Sequence, residues 1–115
     1  MKRPGFGGLT FLVVEDEPLI AMDIATALED CGAGVTTTTT LKHALLLAEH
    51  DGLAGAIVDH SLGDGDTAVL RSRLRERGIP FLVYSGFEID GEPYLMKPAT
   101  SDQLVAAMQS LIQKG

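Results

Sequence analysis

Acidic residues follow two of the apolar segments of this 115-residue chain. Glu15 and Asp16 come directly after the apolar residues 9–14, and Asp59 comes directly after Ile57 and Val58. Ionised carboxylates that lie close together repel one another, so a cluster of them requires a cation. Mg²⁺ prefers hard oxygen ligands and keeps part of its hydration shell. The acidic residues therefore predict a magnesium site in which Asp16 and Asp59 are direct ligands and Glu15 binds through water.

Three further residues suit a site that transfers a phosphoryl group. The carbonyl of Ser61 would add an oxygen ligand for the metal. Phosphoryl transfer mainly requires positioning and the neutralisation of charge on the transferred oxygens, to which the ammonium of Lys97 and the hydroxyl of Ser85 would contribute. Asp59 is the candidate nucleophile, because aspartate forms acyl-phosphates directly. The ordinary alternatives are that Asp59 caps a loop and that Ser85 is a turn residue.

The spacing of apolar residues places these side chains at the ends of strands. The pattern predicts strands at 9–14, 35–39, 54–59, 80–85 and 94–96, a flexible loop at 63–66, and helices at 18–31, 41–50, 67–77 and 100–113. Strands that alternate with helices imply a parallel α/β sheet covered by helices on both faces. Ligands in such folds bind at the carboxyl ends of the strands. Glu15, Asp59 and Ser85 all lie at such ends.

Length and composition indicate one globular domain over residues 1–115. Cys31 is the only cysteine, so no internal disulfide can form and a protein of the reducing cytoplasm is expected. Its position on the apolar stripe of a helix predicts a core side chain. No apolar run approaches the roughly 20 residues of a membrane span. The net charge of −7 argues against direct binding to nucleic acid. Four arginines between residues 71 and 77 either complement a helix C-terminus or form a docking patch for an acidic partner.

The chain resembles the receiver domain of bacterial response regulators over residues 9–112. The segments that carry the resemblance are Val13-Val14-Glu15-Asp16-Glu17, Val58-Asp59, Ser85-Gly86 and Lys97-Pro98. The resemblance implies a flavodoxin-like, doubly wound fold, in which five parallel strands have the order 2-1-3-4-5. It also implies the two-component reaction, in which a histidine kinase donates a phosphoryl group in the presence of Mg²⁺.

The resemblance further implies a role for each site residue. The residues concerned are the metal-binding acids Glu15 and Asp16, the phosphoacceptor Asp59, the phosphate-contacting Lys97 and the switch hydroxyl of Ser85. Tyr94 stands three residues before Lys97, where the family carries a switch aromatic, although an ordinary strand tyrosine is the alternative. The resemblance also implies a cis peptide bond between Lys97 and Pro98.

The chain departs from the family after Ser85. Only the eleven residues 86–96 separate Ser85 from Lys97, whereas a crossover between parallel strands needs about a dozen residues and usually a helix. The segment 86–93 contains two glycines and a terminal proline, which oppose helix formation. We therefore expect the fourth helix to be shortened or missing. The segment is expected to be a mobile loop, kept solvated by Glu88, Asp90 and Glu92, that becomes ordered on phosphorylation.

Residues 80–87 resemble a signature of an alphaproteobacterial receiver subgroup, which carries a Pro-Phe…Thr-Gly-aromatic run and a shortened fourth helix. Here Ser85 replaces the threonine, and Tyr84 stands where a small residue is usual. Members of the subgroup often work with HWE-type histidine kinases, so a kinase of this type is the expected phosphodonor. Because the chain ends soon after its last helix, output is expected through an unknown downstream protein, or the domain is a phosphate sink.

Two other functions compete with a phosphoacceptor that modifies only itself. A magnesium-dependent phosphohydrolase of the haloacid-dehalogenase type also forms an aspartyl-phosphate, but it needs a second aspartate two residues after the nucleophile, where Ser61 stands. A binding module that has lost phosphorylation would have no need of the full set of site residues. A stable, stoichiometric acyl-phosphate would separate these three functions.

Overall fold

A computed structural model describes residues 5–114 of the chain. Its elements in chain order are β1 (Thr10–Val14), α1 (Pro18–Glu29), β2 (Gly34–Thr38), α2 (Leu41–Leu47), β3 (Leu53–Asp59), β4 (Ser61–Leu62), β5 (Gly65–Asp66), α3 (Ala68–Glu76), β6 (Phe81–Ser85), β7 (Tyr94–Met96) and α4 (Ser101–Lys114). Residues 1–4 and 115 of the predicted domain lie outside the described residues. Within the described range, no helix has the length and apolar character needed to cross a membrane.

Five strands form one sheet in the order β2-β1-β3-β6-β7, and neighbouring strands are parallel. This is the predicted order 2-1-3-4-5 once the two-residue strands β4 and β5, which form a separate hairpin, are set aside. Strands β1 and β3 are adjacent, with Val14 beside Val58. Residues that leave the carboxyl ends of these two strands therefore emerge side by side.

The side chains of β1 alternate between two hydrophobic clusters, one on each face of the sheet. Phe11 and Val13 pack with residues of α1 and α4, whereas Leu12 and Val14 pack with residues of α2 and α3. The predicted strand buried on both faces is thus confirmed, as is the helix layer on each side. Cys31 belongs to the first cluster and is 2% exposed, which confirms its prediction as a core residue.

Gly55 in β3 lets α4 pack closely against the sheet. A Cβ atom at this position would lie 2.5 Å from Cε of Met108 and 3.1 Å from Cε1 of Phe11. Protein cores are packed at the density of organic crystals, so a clash of this size forces the neighbouring side chains to move. The absence of a side chain at Gly55 is therefore a packing requirement of the α4 face.

The segment 63–66 is not the simple loop that the sequence predicts, because it contains β5 and the turn of the β4–β5 hairpin. Two-residue strands are too short to give a recognisable periodicity. Asp64 in the turn accepts hydrogen bonds from the backbone N–H groups of Leu41 (2.9 Å) and Lys42 (3.4 Å). The hairpin is thereby fastened to the N-terminus of α2, which Thr40 also caps.

Residues 86–93 connect β6 to β7 without a helix, so the prediction that the fourth helix is missing is confirmed. Other predicted helices are shorter than expected: α1 ends at Glu29 and α2 at Leu47. In both places the chain turns soon afterwards through a glycine with positive φ, Gly32 (93°) or Gly52 (92°). Residues other than glycine rarely adopt this backbone conformation.

Candidate functional site

The carboxylates of Glu15, Asp16 and Asp59 meet at the carboxyl edge of the sheet. One oxygen atom from each lies within 4.8 Å of the others. Glu15 is 2% exposed and Asp59 is 8% exposed, whereas Asp16 faces solvent. The register of β1 against β3 brings these residues together although Asp59 lies 44 positions after Glu15. The structure therefore forms the acidic cluster that the sequence predicts.

The ammonium of Lys97 enters this cluster from β7, two strands away from Asp59. Its Nζ lies 3.1 Å from Oε2 of Glu15 and 3.2 Å from the carboxylate of Asp59. The Lys97 backbone is fixed by its N–H, which donates to the carbonyl of Ser85 at 2.7 Å. The Lys97–Pro98 peptide bond is cis, as the resemblance implies. One ammonium and three carboxylates leave a local charge of −2 when all are ionised.

Burial and hydrogen bonding act in opposite directions on the pKa values of Glu15 and Lys97. Burial raises the pKa of Glu15, and the nearby charge of Asp59 raises it further; the hydrogen bonds from the Glu17 N–H (3.1 Å) and from Lys97 only partly offset these effects. For Lys97, burial lowers the pKa, but the hydrogen bonds to Glu15 and Asp59 outweigh it, so the net shift is upward. The ammonium is thus kept protonated beside Asp59.

Backbone groups and a buried threonine fix the orientation of Asp59. The N–H of His60 donates to Oδ1 of Asp59 at 2.9 Å. The hydroxyl of Thr67 lies 2.6 Å from the carbonyl oxygen of Asp59 and 2.8 Å from that of His60. Thr67 is fully buried. One carboxylate oxygen of Asp59 therefore has a fixed donor, while 11% of its side chain stays open to solvent.

No family model matches the chain. It is 28% identical over 120 residues to the transcriptional regulatory protein TcrA of Mycobacterium tuberculosis, in an alignment that covers 94% of this chain and 47% of TcrA. The chain spans about half the length of the curated relatives it matches.

Two solved structures each superpose on this chain over almost their whole length. The receiver domain of the Francisella response regulator 1452 aligns with a TM-score of 0.81 and 25% identity, over 93% of this chain and 98% of that chain. The receiver domain of the Pseudomonas aeruginosa sensor histidine kinase PA1611, with a magnesium ion coordinated in its active-site cleft, aligns with a TM-score of 0.82 and 23% identity, over 93% and 99%.

The chain has the fold of response-regulator receiver domains, and the proteins that it resembles include such domains. Receiver domains are phosphoacceptor signalling domains, and the sheet order of this chain is the one that the resemblance implies. The acidic cluster of this receiver domain lies at the sheet edge where open α/β folds bind their ligands.

Three other residues that the sequence singles out have distinct surroundings in the receiver domain. Ser85 is fully buried at the end of β6, and its Oγ accepts a hydrogen bond from the N–H of Phe87 at 3.1 Å. Tyr94 begins β7 and is 36% exposed. Ser61 is exposed in β4, where it is paired with Asp66.

Sequence analysis missed the polar contacts that join Asp59 to the 86–93 segment of the receiver domain. Arg71 Nη1 donates to Oγ1 of Thr67 at 2.6 Å and to the His60 carbonyl at 3.3 Å. Its Nε donates to Glu92 at 3.0 Å. The expectation that Glu92 keeps this segment solvated is therefore wrong, because the Glu92 side chain is only 13% exposed. An arginine inside an apolar helical stripe was the available signal.

The other three arginines of the 71–77 group also have partners within the chain. Arg73 binds both carboxylate oxygens of Glu49 at 2.6 Å. Arg75 binds Glu92 at 2.6 Å, and Arg77 binds Asp51 at 3.1 Å. The internal pairing of all four guanidinium groups argues against a docking patch for an acidic partner, and the helix-terminus interpretation applies to Arg73 and Arg75, which lie in the last turn of α3.

Proposed function

We propose that this receiver domain accepts a phosphoryl group on Asp59 from a histidine kinase, in a reaction that depends on Mg²⁺. The observation that carries the proposal is the position of Lys97, whose Nζ lies 3.1 Å from Glu15 and 3.2 Å from Asp59. A nucleophilic carboxylate and an ammonium that can neutralise the transferred oxygens thus stand side by side. Both are needed for a reaction governed by positioning and electrostatics.

The donor set fits magnesium. Glu15, Asp16 and Asp59 offer hard oxygen ligands that lie within 4.8 Å of one another, and Lys97 compensates only one of their three charges. Asp16 and Asp59 would bind the ion directly, Glu15 through water, and the carbonyl of Ser61 would supply a further oxygen. A bound ion neutralises charge on the phosphoryl oxygens.

Side chains of the domain carry out the transfer of the phosphoryl group and the response to it. A carboxylate oxygen of Asp59 forms the new bond to phosphorus while the P–N bond of the phosphohistidine breaks, and the leaving imidazole takes up a proton from solvent. The Asp59 carboxyl group is then uncharged, and the negative charge beside it is that of the transferred phosphoryl oxygens, so the ammonium of Lys97 turns to them. The Ser85 hydroxyl donates a hydrogen bond to a phosphoryl oxygen, and Tyr94 responds as the switch aromatic.

The donor kinase and the output remain separate parts of the proposal. The Pro-Phe…Ser-Gly-Phe run and the helix-free 86–93 segment favour a kinase of the HWE type. For the output, we infer a downstream protein or a phosphate sink, without direct contact to nucleic acid. This agrees with the net charge of −7 and with the internal pairing of the 71–77 arginines.

The test is phosphorylation by a small phosphodonor such as acetyl phosphate. Mass spectrometry should find one added phosphoryl group per wild-type molecule with Mg²⁺ and none with excess chelator. Asp59→Asn should take up none, while Asp23→Asn, which changes an exposed aspartate of α1, should behave like wild type. Continuous release of phosphate without a stable adduct would indicate a phosphohydrolase instead. A phosphoryl group on Asp59→Asn would refute the site.

A further inference from the structure

Tyr84 occupies the strand position between Asp59 and the lysine that reaches it. On β6, Tyr84 is paired with Asp59 of β3 on one side and with Leu95 of β7 on the other. The side chain of Lys97 must therefore cross β6 to reach Asp59, a path of two strand spacings or about 10 Å. Tyr84 is 5% exposed, so a large aromatic ring is buried beneath this path.

The ring and the hydroxyl of Tyr84 make two separate contacts with the segment 97–99. Nζ of Lys97 lies over the ring, 5.2 Å from its centroid, within the distance at which an ammonium is attracted to an aromatic face. The phenol oxygen accepts a hydrogen bond from the N–H of Ala99 at 3.0 Å. The Lys97 N–H donates to Ser85, the next residue of β6. Neighbouring residues of β6 thus hold this segment through both its backbone and its ammonium.

The aromatic contact differs from the two carboxylate contacts of the ammonium. Glu15 and Asp59 also belong to the acidic cluster, and Asp59 loses its carboxylate charge when an acyl-phosphate forms. The Tyr84 ring has no carboxylate oxygen with which to bind a metal ion, and it does not change when an acyl-phosphate forms. The loss of charge at Asp59 therefore leaves the ring itself unchanged as a partner for the ammonium.

We propose that Tyr84 is a positioning residue that holds the ammonium of Lys97 in place for phosphoryl transfer to Asp59. This inference rests on the proposed function, because Lys97 matters only if Asp59 is the acceptor. Without the ring, the flexible lysine side chain, which is 27% exposed, would spend more time in solvent-facing rotamers. The hydroxyl adds a second effect by fixing the backbone on the far side of Lys97.

Two substitutions separate the ring from the hydroxyl. Tyr84→Leu removes both and should slow phosphorylation by acetyl phosphate about fivefold, in the range expected for a partly desolvated cation–π contact. Tyr84→Phe keeps the ring and should recover most of the rate. Phe81→Leu is the matched control: Phe81 is buried on the same strand, and its ring lies 5.6 Å from the Arg75 guanidinium, at the end of β6 remote from Ser85.

A double-mutant cycle tells positioning from general destabilisation. In a Lys97→Ala background, Tyr84→Leu should cause no further loss of rate, because residues that act through one group are not additive. An equal loss in both backgrounds, or a wild-type rate for Tyr84→Leu, would overturn the inference. If Tyr84→Leu does not fold, Tyr84→Met, a flexible side chain of similar length, takes its place in the cycle.

Proton NMR of the unphosphorylated protein provides a readout that does not depend on activity. The Lys97 ε-methylene protons should show an upfield ring-current shift in wild type and Tyr84→Phe, and should lose it in Tyr84→Leu. Ordinary lysine shifts in wild type would refute the contact. If wild type accepts no phosphoryl group but shows the ring-current shift, the proposed function fails while the Tyr84 contact stands. If it is phosphorylated without the shift, only the inference about Tyr84 fails.

Discussion

Arg71 on α3 holds Glu92 of the 86–93 segment, with Nε 3.0 Å from Oε1 of the carboxylate. The two side chains are only 9% and 13% exposed. The same guanidinium binds Thr67, whose hydroxyl binds the carbonyl of Asp59. A second contact runs beside this chain of hydrogen bonds, where the rings of His60 and Phe87 lie edge to face at 4.7 Å. The segment that replaces the crossover helix is thus connected to Asp59.

The Arg71–Glu92 pair should contribute much more to stability than the exposed ion pairs of the same helix. Arg71→Met leaves Glu92 with only the more exposed Arg75 as a partner, removes the donor to Thr67, and should lower the free energy of unfolding by about 2 kcal/mol. Arg73→Met breaks the exposed pair with Glu49 and should lower the free energy of unfolding much less, because solvent screens this pair. Urea unfolding of both variants checks the difference. Equal losses would show that Arg71 contributes no more than a surface arginine.

Phosphorylation should first change the hydrogen bond of the Phe87 amide. Its N–H donates to Oγ of Ser85 in the unphosphorylated structure, so rotation of this hydroxyl towards a phosphoryl group changes the acceptor. Addition of a phosphoryl mimic such as beryllium fluoride should shift the Phe87 amide resonance and slow hydrogen exchange over residues 86–91. Ser85→Ala should abolish the response, and Ser72→Ala, an exposed control on α3, should keep it. A full response in Ser85→Ala would exclude Ser85 as the switch.

Magnesium should stabilise the domain by mass action. An ion that binds only the folded state adds about 2.7 kcal/mol at a concentration one hundred times its Kd. Asp16→Asn removes an exposed ligand of the acidic cluster and should weaken binding about tenfold, which is about 1.4 kcal/mol. Thermal unfolding with and without Mg²⁺ measures the effect, and Asp23→Asn serves as the control. The same magnesium-induced rise in Tm for Asp16→Asn as for wild type would remove Asp16 from the site.

Asp64 should make stability depend on pH in the acid range. The N–H of Leu41, and to a smaller extent that of Lys42, holds the pKa of Asp64 below its ordinary value, against a weaker opposing effect of desolvation. A lowered pKa in the folded state means that the stabilisation is present above the unfolded-state pKa, about 3.9, and is lost as the pH falls through the folded-state value. Asp64→Ala should therefore be less stable than wild type near neutral pH, and the difference should shrink below about pH 4.

Asp64→Asn keeps an acceptor oxygen but has no titrating carboxylate, so its unfolding midpoint should vary less with pH than that of wild type. Asp23→Asn should retain the wild-type profile. Profiles for wild type and Asp64→Asn that run parallel down to about pH 3 would contradict the assignment.

The sequence was sufficient to predict the parallel sheet and the acidic cluster, because both depend on patterns within short segments, whereas the strand order was implied by the resemblance to receiver domains. Apolar runs mark the strands, and Glu15, Asp59 and Ser85 follow them directly. The topology of a parallel sheet then brings the strand ends together. That the fourth helix is shortened or missing was predictable for a similar reason, since the segment 86–93 is short and its two glycines and proline oppose a helix.

The contacts of Thr67, Arg71 and Glu92 were beyond sequence analysis. Each residue has an ordinary surface interpretation, and only the placement of α3 beside the 86–93 segment buries them together. The β4–β5 hairpin was missed because it depends on two backbone pairs and on the capping of α2 by Asp64. Pairings of polar side chains between distant elements leave no periodicity in the chain.

The short connection between β6 and β7 also changes the order in which the sheet can assemble. Val83 and Tyr94, which are paired across these strands, are 11 positions apart, whereas Phe11 and Gly55 of the β1–β3 pair are 44 apart. Each doubling of loop length adds about 0.6 kcal/mol of closure entropy, so this fourfold difference amounts to about 1.2 kcal/mol. The edge strand β7 can therefore join β6 early and locally, while pairing of the central strands must await a long-range encounter.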